Sequence, residues 1–229
     1  MSVEVSVLMP VYNERHTIEQ ALAEVIAAPP ADEWELIVVD DGSTDGSADL
    51  LREGTWPPHV RVLFHDRNRG KGAALRSALA EAHGRYATVL DADLEYSPRD
   101  LPALLDPLRR GDAAAVFGTR GFQAHSAYSF WYVVGNHAVT FVANLIYNSW
   151  VSDIMTGHKA METALFRSLD LRERGFSIEP EITARLLLRG VRIYEVPVTY
   201  KARSREQGKK LTAVDGLRVL RTLVRCRLH

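Results

Sequence analysis

Over its first 118 residues the chain alternates short apolar runs with segments whose apolar residues recur at helical spacing. The apolar runs are Val5–Met9, Leu36–Val39, Val60–His65, Tyr86–Leu90 and Ala113–Phe117. Leu36-Ile37-Val38-Val39 is of the continuous, largely β-branched kind that parallel strands bury on both faces. Between the runs, the spacing predicts helices over Thr17–Ala28, Ser47–Glu53, Lys71–Ala82 and Pro98–Arg110. Pro29-Pro30 stops the first, Gly84 ends the third, and Pro98 opens the fourth. Thr17 and Gln20 have the spacing of a capping box. This alternation predicts an α/β fold with a doubly wound, mostly parallel sheet and helices on both faces. Ligands of such folds bind outside the carboxyl ends of the strands. Chemistry is therefore expected after Met9, Val39, His65, Leu90 and Phe117.

The second half is less regular. Helices are expected over Phe130–Asn148, Glu162–Leu169, Glu179–Leu188 and Leu211–Leu228, with a strand over Val191–Tyr200 that Pro197 marks as an edge. No repeat or low-complexity linker interrupts the chain. A single domain over 1–229 is the simplest organisation, divided into a half over 1–120, a half over 121–210 and a basic amphipathic helix over 211–229.

Each expected strand end is followed by charge or glycine: Pro10–Glu14, Asp40–Ser43, Arg67–Gly72, Asp91–Glu95 and Gly118–Arg120. Asp91 and Asp93 stand two apart at a strand end, so both carboxylates can point the same way. Two carboxylates held together repel unless a cation lies between them. Mg²⁺ or Mn²⁺ suits such a pair and completes its shell with substrate phosphates, which implies a nucleoside diphosphate. Glu95 is a candidate third oxygen donor. The plainer alternative is one capping and one solvated aspartate before the Pro98 helix. Asp40 and Asp41 can accept hydrogen bonds from a nucleobase or ribose, or simply cap the next helix. Gly70-Lys71-Gly72 at a helix start is a candidate anion seat, although the Walker pattern is missing.

Pro10-Val11-Tyr12-Asn13-Glu14, Val39–Ser43, Asn68–Gly72 and Asp91-Ala92-Asp93 together resemble the successive nucleotide-sugar motifs of family-2 glycosyltransferases with the GT-A fold. Ser152-Asp153, Thr156–Lys159, Glu179–Glu181, Tyr194–Val198 and Arg203 with Gly208–Lys210 are similar to the branch that includes dolichyl-phosphate mannose synthases and bacterial polyprenyl-phosphate glycosyltransferases. The resemblance implies that Pro10, Tyr12, Glu14 and Asp41 line the nucleobase pocket, and that Asp40, Lys71 and Ala92 belong to the donor site. It implies a metal held by Asp91 and Asp93, with Glu95 as a further ligand. Arg120 would face an acceptor phosphate, and Arg203 and Lys209 would close over the phosphates. The implied reaction moves a hexosyl group from a GDP-mannose or UDP-glucose type donor to a polyprenyl or dolichyl phosphate, with inversion. That branch often carries a second arginine after the one matched by Arg120, whereas residues 121–149 contain no Lys or Arg. The Gln-x-x-Arg-Trp motif of processive synthases is missing, which argues against polymerisation.

The acceptor decides the remaining chemistry. A departing diphosphate is stabilised by the metal and by Lys and Arg side chains. A hydroxyl acceptor also needs a general base, for which Asp153 is the candidate; a helix or turn cap is its plainer role. A phosphate needs little base, because its second pKa is about 6. Both acceptors remain open from the residues. A sugar nucleotidyltransferase would need a glycine-rich loop after the first strand, and Pro10–Glu14 has no glycine.

Charge is unevenly spread. Residues 201–229 carry nine basic against two acidic side chains, a net +7, which leaves −8 for the rest of a chain whose total is −1. A basic amphipathic end of this kind is expected at a membrane surface, since no nucleic-acid module accompanies it. Phe130–Asn148 has no Asp, Glu, Lys or Arg, and Asn136, Thr140, Asn144 and Asn148 fall four apart in one polar stripe. Such a helix can lie at a membrane interface, grip a prenyl chain, pair two copies as a homodimer, or be buried. The single cysteine, Cys226, and the absence of a signal pattern in residues 1–20 lead to the expectation of a cytoplasmic protein attached peripherally to the membrane.

Overall fold

A computed structural model describes residues 3–121, 130–203 and 213–228, with the side chains of 213–215 left aside. The first stretch runs β1 (Val5–Val11), α1 (Ile18–Ala27), β2 (Trp34–Asp40), α2 (Ser47–Glu53), β3 (Val60–Phe64), α3 (Lys71–Glu81) and β4 (Tyr86–Val89). A short 3₁₀ turn at Pro98–Asp100 leads into α4 (Leu101–Arg109) and β5 (Ala115–Arg120). Then follow α5 (Phe130–Tyr147), β6 (Lys159–Glu162), α6 (Thr163–Ser168), α7 (Ile178–Leu188), β7 (Ile193–Val198) and α8 (Ala213–Leu228).

The strands form one seven-stranded sheet in the order β3-β2-β1-β4-β6-β5-β7. All neighbours are parallel except at β6, which runs antiparallel to both β4 and β5. Period-two alternation sends successive side chains to opposite faces. In β1, Leu8 joins one apolar cluster, with α3, α5, α6, α7 and α8. Val5, Val7, Met9 and Val11 join the other, with α1, α2 and α4. Both faces are therefore covered, as the unbroken apolar runs predict. Among the described residues β7 pairs with β5 alone, and Pro197 sits on this edge strand as expected.

Three local expectations are corrected. β6 falls where the sequence suggests a loop and a helix start: its first residue is Lys159, fully buried against Glu179. Thr17 makes no side-chain cap bond; its hydroxyl donates instead to the Glu14 carbonyl and carboxylate. Residue Asn148 lies beyond α5, at φ 47°, so the polar stripe ends at Asn144.

The stripe itself faces inward. Asn136 and Thr140 are buried, and Asn144 exchanges two 2.9 Å hydrogen bonds with the backbone of Val151. α5 therefore presents its polar face to the protein and leaves much of its apolar face exposed.

Candidate active site

A cleft of about 380 Å³ opens at the carboxyl ends of β1, β2, β4 and β5. Pro10, Val11, Tyr12 and Glu14 form one wall, Asp41 and the start of α3 the next, Asp91–Glu95 the floor, and Arg120 with Tyr132 the far side. Gly157, Phe176, Glu179, Tyr200 and Arg203 complete it.

Asp41 lines this cleft and is almost wholly buried. Its carboxylate accepts from Arg69 N at 2.9 Å and Gly70 N at 2.7 Å, and lies 2.6 Å from His65 Nδ1. His65 Nε2 in turn faces Ser77 Oγ at 2.9 Å. These donors fix the carboxylate as an acceptor aimed at the cleft. Asp40, by contrast, is 1% exposed, is not part of the cleft lining, and accepts from Ser43 N at 3.0 Å. It holds the turn after β2, so a direct ligand contact is not supported for it.

Lys71 is not an open anion seat. Its Nζ lies 2.8 Å from Asp91 and 2.9 Å from Glu179. Burial alone would lower the ammonium's pKa, but those two carboxylates outweigh it and the net shift is upward. The backbone behind it is also engaged. Gly72 N donates to Arg174 O at 2.6 Å, and the chain at 173–174 passes so close that a Cβ on Gly72 would lie 2.2 Å from Glu173 O. Gly72→Ala is expected to cost about 1–3 kcal/mol by overpacking, read as a lower urea midpoint.

Glu179 continues this charge row inward, with its other oxygen 2.6 Å from Lys159 Nζ. Burial would raise the Glu179 pKa, but Lys159 and Lys71 hold it low. The alternating row Lys159, Glu179, Lys71, Asp91 thus fixes one oxygen of Asp91 from behind.

Asp93 faces Arg203 at 3.2 Å and accepts from Glu95 N at 3.0 Å. Burial, then the charges of Asp91 and Glu95, push its carboxyl up to about 7. Arg203 also grips Glu14 with both terminal nitrogens, at 2.8 and 3.2 Å. Glu95 accepts from Tyr200 OH at 2.6 Å and from Arg203 N at 2.9 Å. Among the described residues no three His, Cys, Asp or Glu side chains are gathered for a metal, so Asp91, Asp93 and Glu95 do not form a ready three-carboxylate cage.

The pair Asp91 and Asp93 nevertheless fits a divalent ion on charge. Among the described residues lining the cleft, the carboxylates Glu14, Asp41, Asp91, Asp93, Glu95 and Glu179 outnumber the cations Lys71, Arg120 and Arg203. A divalent cation would offset that excess, which adds to burial in raising the Asp93 pKa.

On the far side, Arg120 is 6% exposed and Asp153 2%. Arg120 Nε and a terminal nitrogen donate to the two Asp153 oxygens at 2.5 and 2.8 Å. Tyr132 OH and Asn136 Oδ1, both from α5, accept further bonds from Arg120 at 3.1 and 3.3 Å. Asp153 also accepts from Asn136 and from Met155 N. Burial would raise the Asp153 carboxyl, but the Arg120 charge and hydrogen bonds hold it below the usual range. Asp153 is absent from the cleft lining. Both of its oxygens are engaged by Arg120.

The glycosyl transferase family 2 model matches residues 6–169. The chain belongs to glycosyl transferase family 2. A dolichol-phosphate mannosyltransferase of Saccharomyces cerevisiae is 30% identical over 225 residues, 91% of this chain and 82% of that relative. A dolichol-phosphate mannosyltransferase of Pyrococcus furiosus is 27% identical over 218 residues, 90% of this chain and 59% of its own length. Glycosyltransferase AglJ of Haloferax volcanii is 30% identical over 200 residues, 87% of this chain and 63% of its own length. The chain thus spans under two thirds of the latter two relatives. Among solved structures, glucosyl-3-phosphoglycerate synthase from Mycobacterium tuberculosis, in complex with Mn²⁺, UDP and glucosyl-3-phosphoglycerate, superposes with a TM-score of 0.73 at 23% identity. It covers 98% of this chain and 80% of that one. The shared fold is GT-A.

In this family-2 glycosyltransferase the cleft gathers Pro10, Tyr12, Glu14, Asp41, Lys71, Asp91, Ala92, Asp93, Glu95, Arg120 and Arg203. Asp40 and Asp153 stand behind it, and Lys209 lies outside the described residues. Sequence reasoning assigned no role to Glu179, Tyr96, Gly157 or Tyr200. Tyr96 OH accepts from Gly157 N at 2.9 Å, and a Cβ on Gly157 would sit 2.7 Å from Asp91 Oδ2. The Thr156–Lys159 and Glu179–Glu181 motifs were the available signals; their partners across the fold were not readable.

Proposed function

We propose that this protein transfers a hexosyl group from a nucleoside-diphosphate sugar, of the GDP-mannose or UDP-glucose type, to the phosphate of a polyprenyl or dolichyl phosphate. The observation that carries the acceptor is the Arg120–Asp153 clamp. A phosphate nucleophile needs a fixed cation and little base. Arg120 supplies the cation at the cleft wall, while the carboxylate beside it is spent on holding it and has a depressed pKa. A hydroxyl acceptor would want the reverse. The names of the relatives, dolichol-phosphate mannosyltransferases among them, support the same acceptor.

Asp91 and Asp93 would hold Mg²⁺ or Mn²⁺, with Glu95, which already accepts from Tyr200 OH and Arg203 N, as a further ligand. The metal would neutralise the leaving diphosphate. The Mn²⁺ and UDP of the mycobacterial neighbour support that role. Pro10, Tyr12, Glu14 and Asp41 would receive the nucleobase, and residues 1–120 would form the donor half, 121–210 the acceptor half. Arg203, released from Glu14 and Asp93, would turn to the phosphates, with Lys209 as a second cation there. Inversion at the anomeric carbon follows the family resemblance. Such an acceptor would put the enzyme at the cytoplasmic face of a membrane, attached peripherally.

Radiolabelled GDP-mannose or UDP-glucose with polyprenyl phosphate and Mn²⁺ is expected to give an organic-soluble labelled product. Label that moves only to water-soluble glycans or sugars would replace this acceptor with a hydroxyl group.

A further inference from the structure

We infer that the outer faces of α5 and α8 form a docking surface for an anionic lipid bilayer. Ordinary surface helices bury their apolar side and expose the polar one; α5 does the opposite. Phe130, Trp131, Phe141 and Leu145 are 68–76% exposed, and Trp150, just beyond the helix, is 85% exposed. Contiguous apolar surface of this kind marks an interaction site. The helix is not long and apolar enough to cross a membrane, so it would lie in the interfacial plane, where tryptophan is favoured.

Charge selects the partner. α8 packs directly on α5: Tyr147 OH donates to Leu223 O at 2.6 Å, and Val219, Leu223 and Cys226 are buried beneath it. Its exposed side carries Arg221 and Arg227 among Leu217, Val224 and Leu228, while Arg225 pairs with Glu173 at 2.6 Å. Aromatic side chains beside arginines suit anionic headgroups over an acyl layer. A second copy docked symmetrically on the same patch would bring two arginine sets together, which is unfavourable. The inner face of the same helix holds Arg120 through Tyr132 and Asn136, so the surface lies directly behind the candidate acceptor cation. The surface is argued from exposure and charge; that its membrane also holds the acceptor rests on the transfer reading above.

The test is flotation of the protein with phosphatidylcholine vesicles, with and without phosphatidylglycerol. Binding is expected only when phosphatidylglycerol is present, and to weaken with salt. Arg221→Gln with Arg227→Gln is expected to weaken it about thirty-fold, and Trp131→Glu with Phe141→Glu to abolish it. Calorimetric binding of GDP or UDP should stay unchanged in both double variants, which shows that they are folded. Wild-type protein that ignores both vesicles, or variants that float like wild type, would overturn the inference. So would a dimer in solution that Trp131→Glu with Phe141→Glu splits without any vesicle binding, since a second copy would then be the occupant. Vesicle binding without transfer to any prenyl phosphate would sink the reaction and leave the surface standing.

Discussion

Asp93→Asn is expected to abolish metal-dependent nucleotide binding and to lower transfer by about a thousandfold, the loss of several kcal/mol of charge stabilisation. The amide oxygen can still accept from Glu95 N, and the side chain keeps its volume, so the fold is preserved. What disappears is one of the two carboxylates that would hold the metal, the one whose pKa burial and then the charges of Asp91 and Glu95 raise. Calorimetry of GDP and UDP with and without Mn²⁺ checks this. A chelator should reproduce the loss in the wild type and add nothing in the variant. Equal affinity with and without Mn²⁺ in the wild type, or unchanged Mn²⁺-dependent affinity in Asp93→Asn, would remove the metal from this site.

Asp153→Asn is expected to destabilise the protein by about 3–5 kcal/mol, because it leaves the Arg120 guanidinium buried without its counter-charge. Replacing both partners, as in Arg120→Met with Asp153→Asn, should recover much of the stability and none of the transfer. Arg120→Lys should fail to rescue transfer, since an ammonium cannot grip both Asp153 oxygens and reach the cleft in the same geometry. The pH dependence has a definite sign. The folded Asp153 pKa lies below its ordinary 3.8, so the pair's stabilisation is complete above that ordinary value and is lost as pH falls through the folded one. Thermal unfolding followed from pH 7 downward should therefore show the wild type and Asp153→Asn converging only in strong acid. A transfer rate that titrates on Asp153 near neutrality, with stability unaffected by the substitution, would instead mark it as a general base and favour a hydroxyl acceptor.

The inner parallel strands were legible because β1, β2, β4 and β5 are buried on both faces. Leu36–Val39 can hardly be anything else, and every strand whose carboxyl end reaches the cleft is announced by the polar residues after it. β6 was illegible for a local reason: a strand that opens with lysine looks solvent-facing until its buried partner, Glu179, is known. The same limit governs the site. Gly70-Lys71-Gly72 suggests an anion seat from its neighbours alone, whereas Lys71 is claimed by Asp91 and Glu179 from other elements. Asp153 looks like a base until Arg120 is seen gripping both its oxygens. The stripe on α5 was visible as a period of four, but a period does not say which side faces the protein.

The reversed strand has a consequence for how such a cleft changes over time. Because β6 runs against its neighbours, the residues it contributes to the rim come before it rather than after it, as Met155 and Gly157 do. Under the proposed roles, the donor's contacts hang on loops that leave strands, while the side chains that hold the acceptor cation Arg120, namely Tyr132, Asn136 and Asp153, lie on the stretch from α5 into β6. Insertions or substitutions there would alter what receives the sugar while leaving Asp41, Asp91 and Asp93 in register. Donor chemistry and acceptor choice are thereby separable, and a graft of the segment from α5 to the start of β6 between relatives should exchange acceptors without exchanging nucleotides.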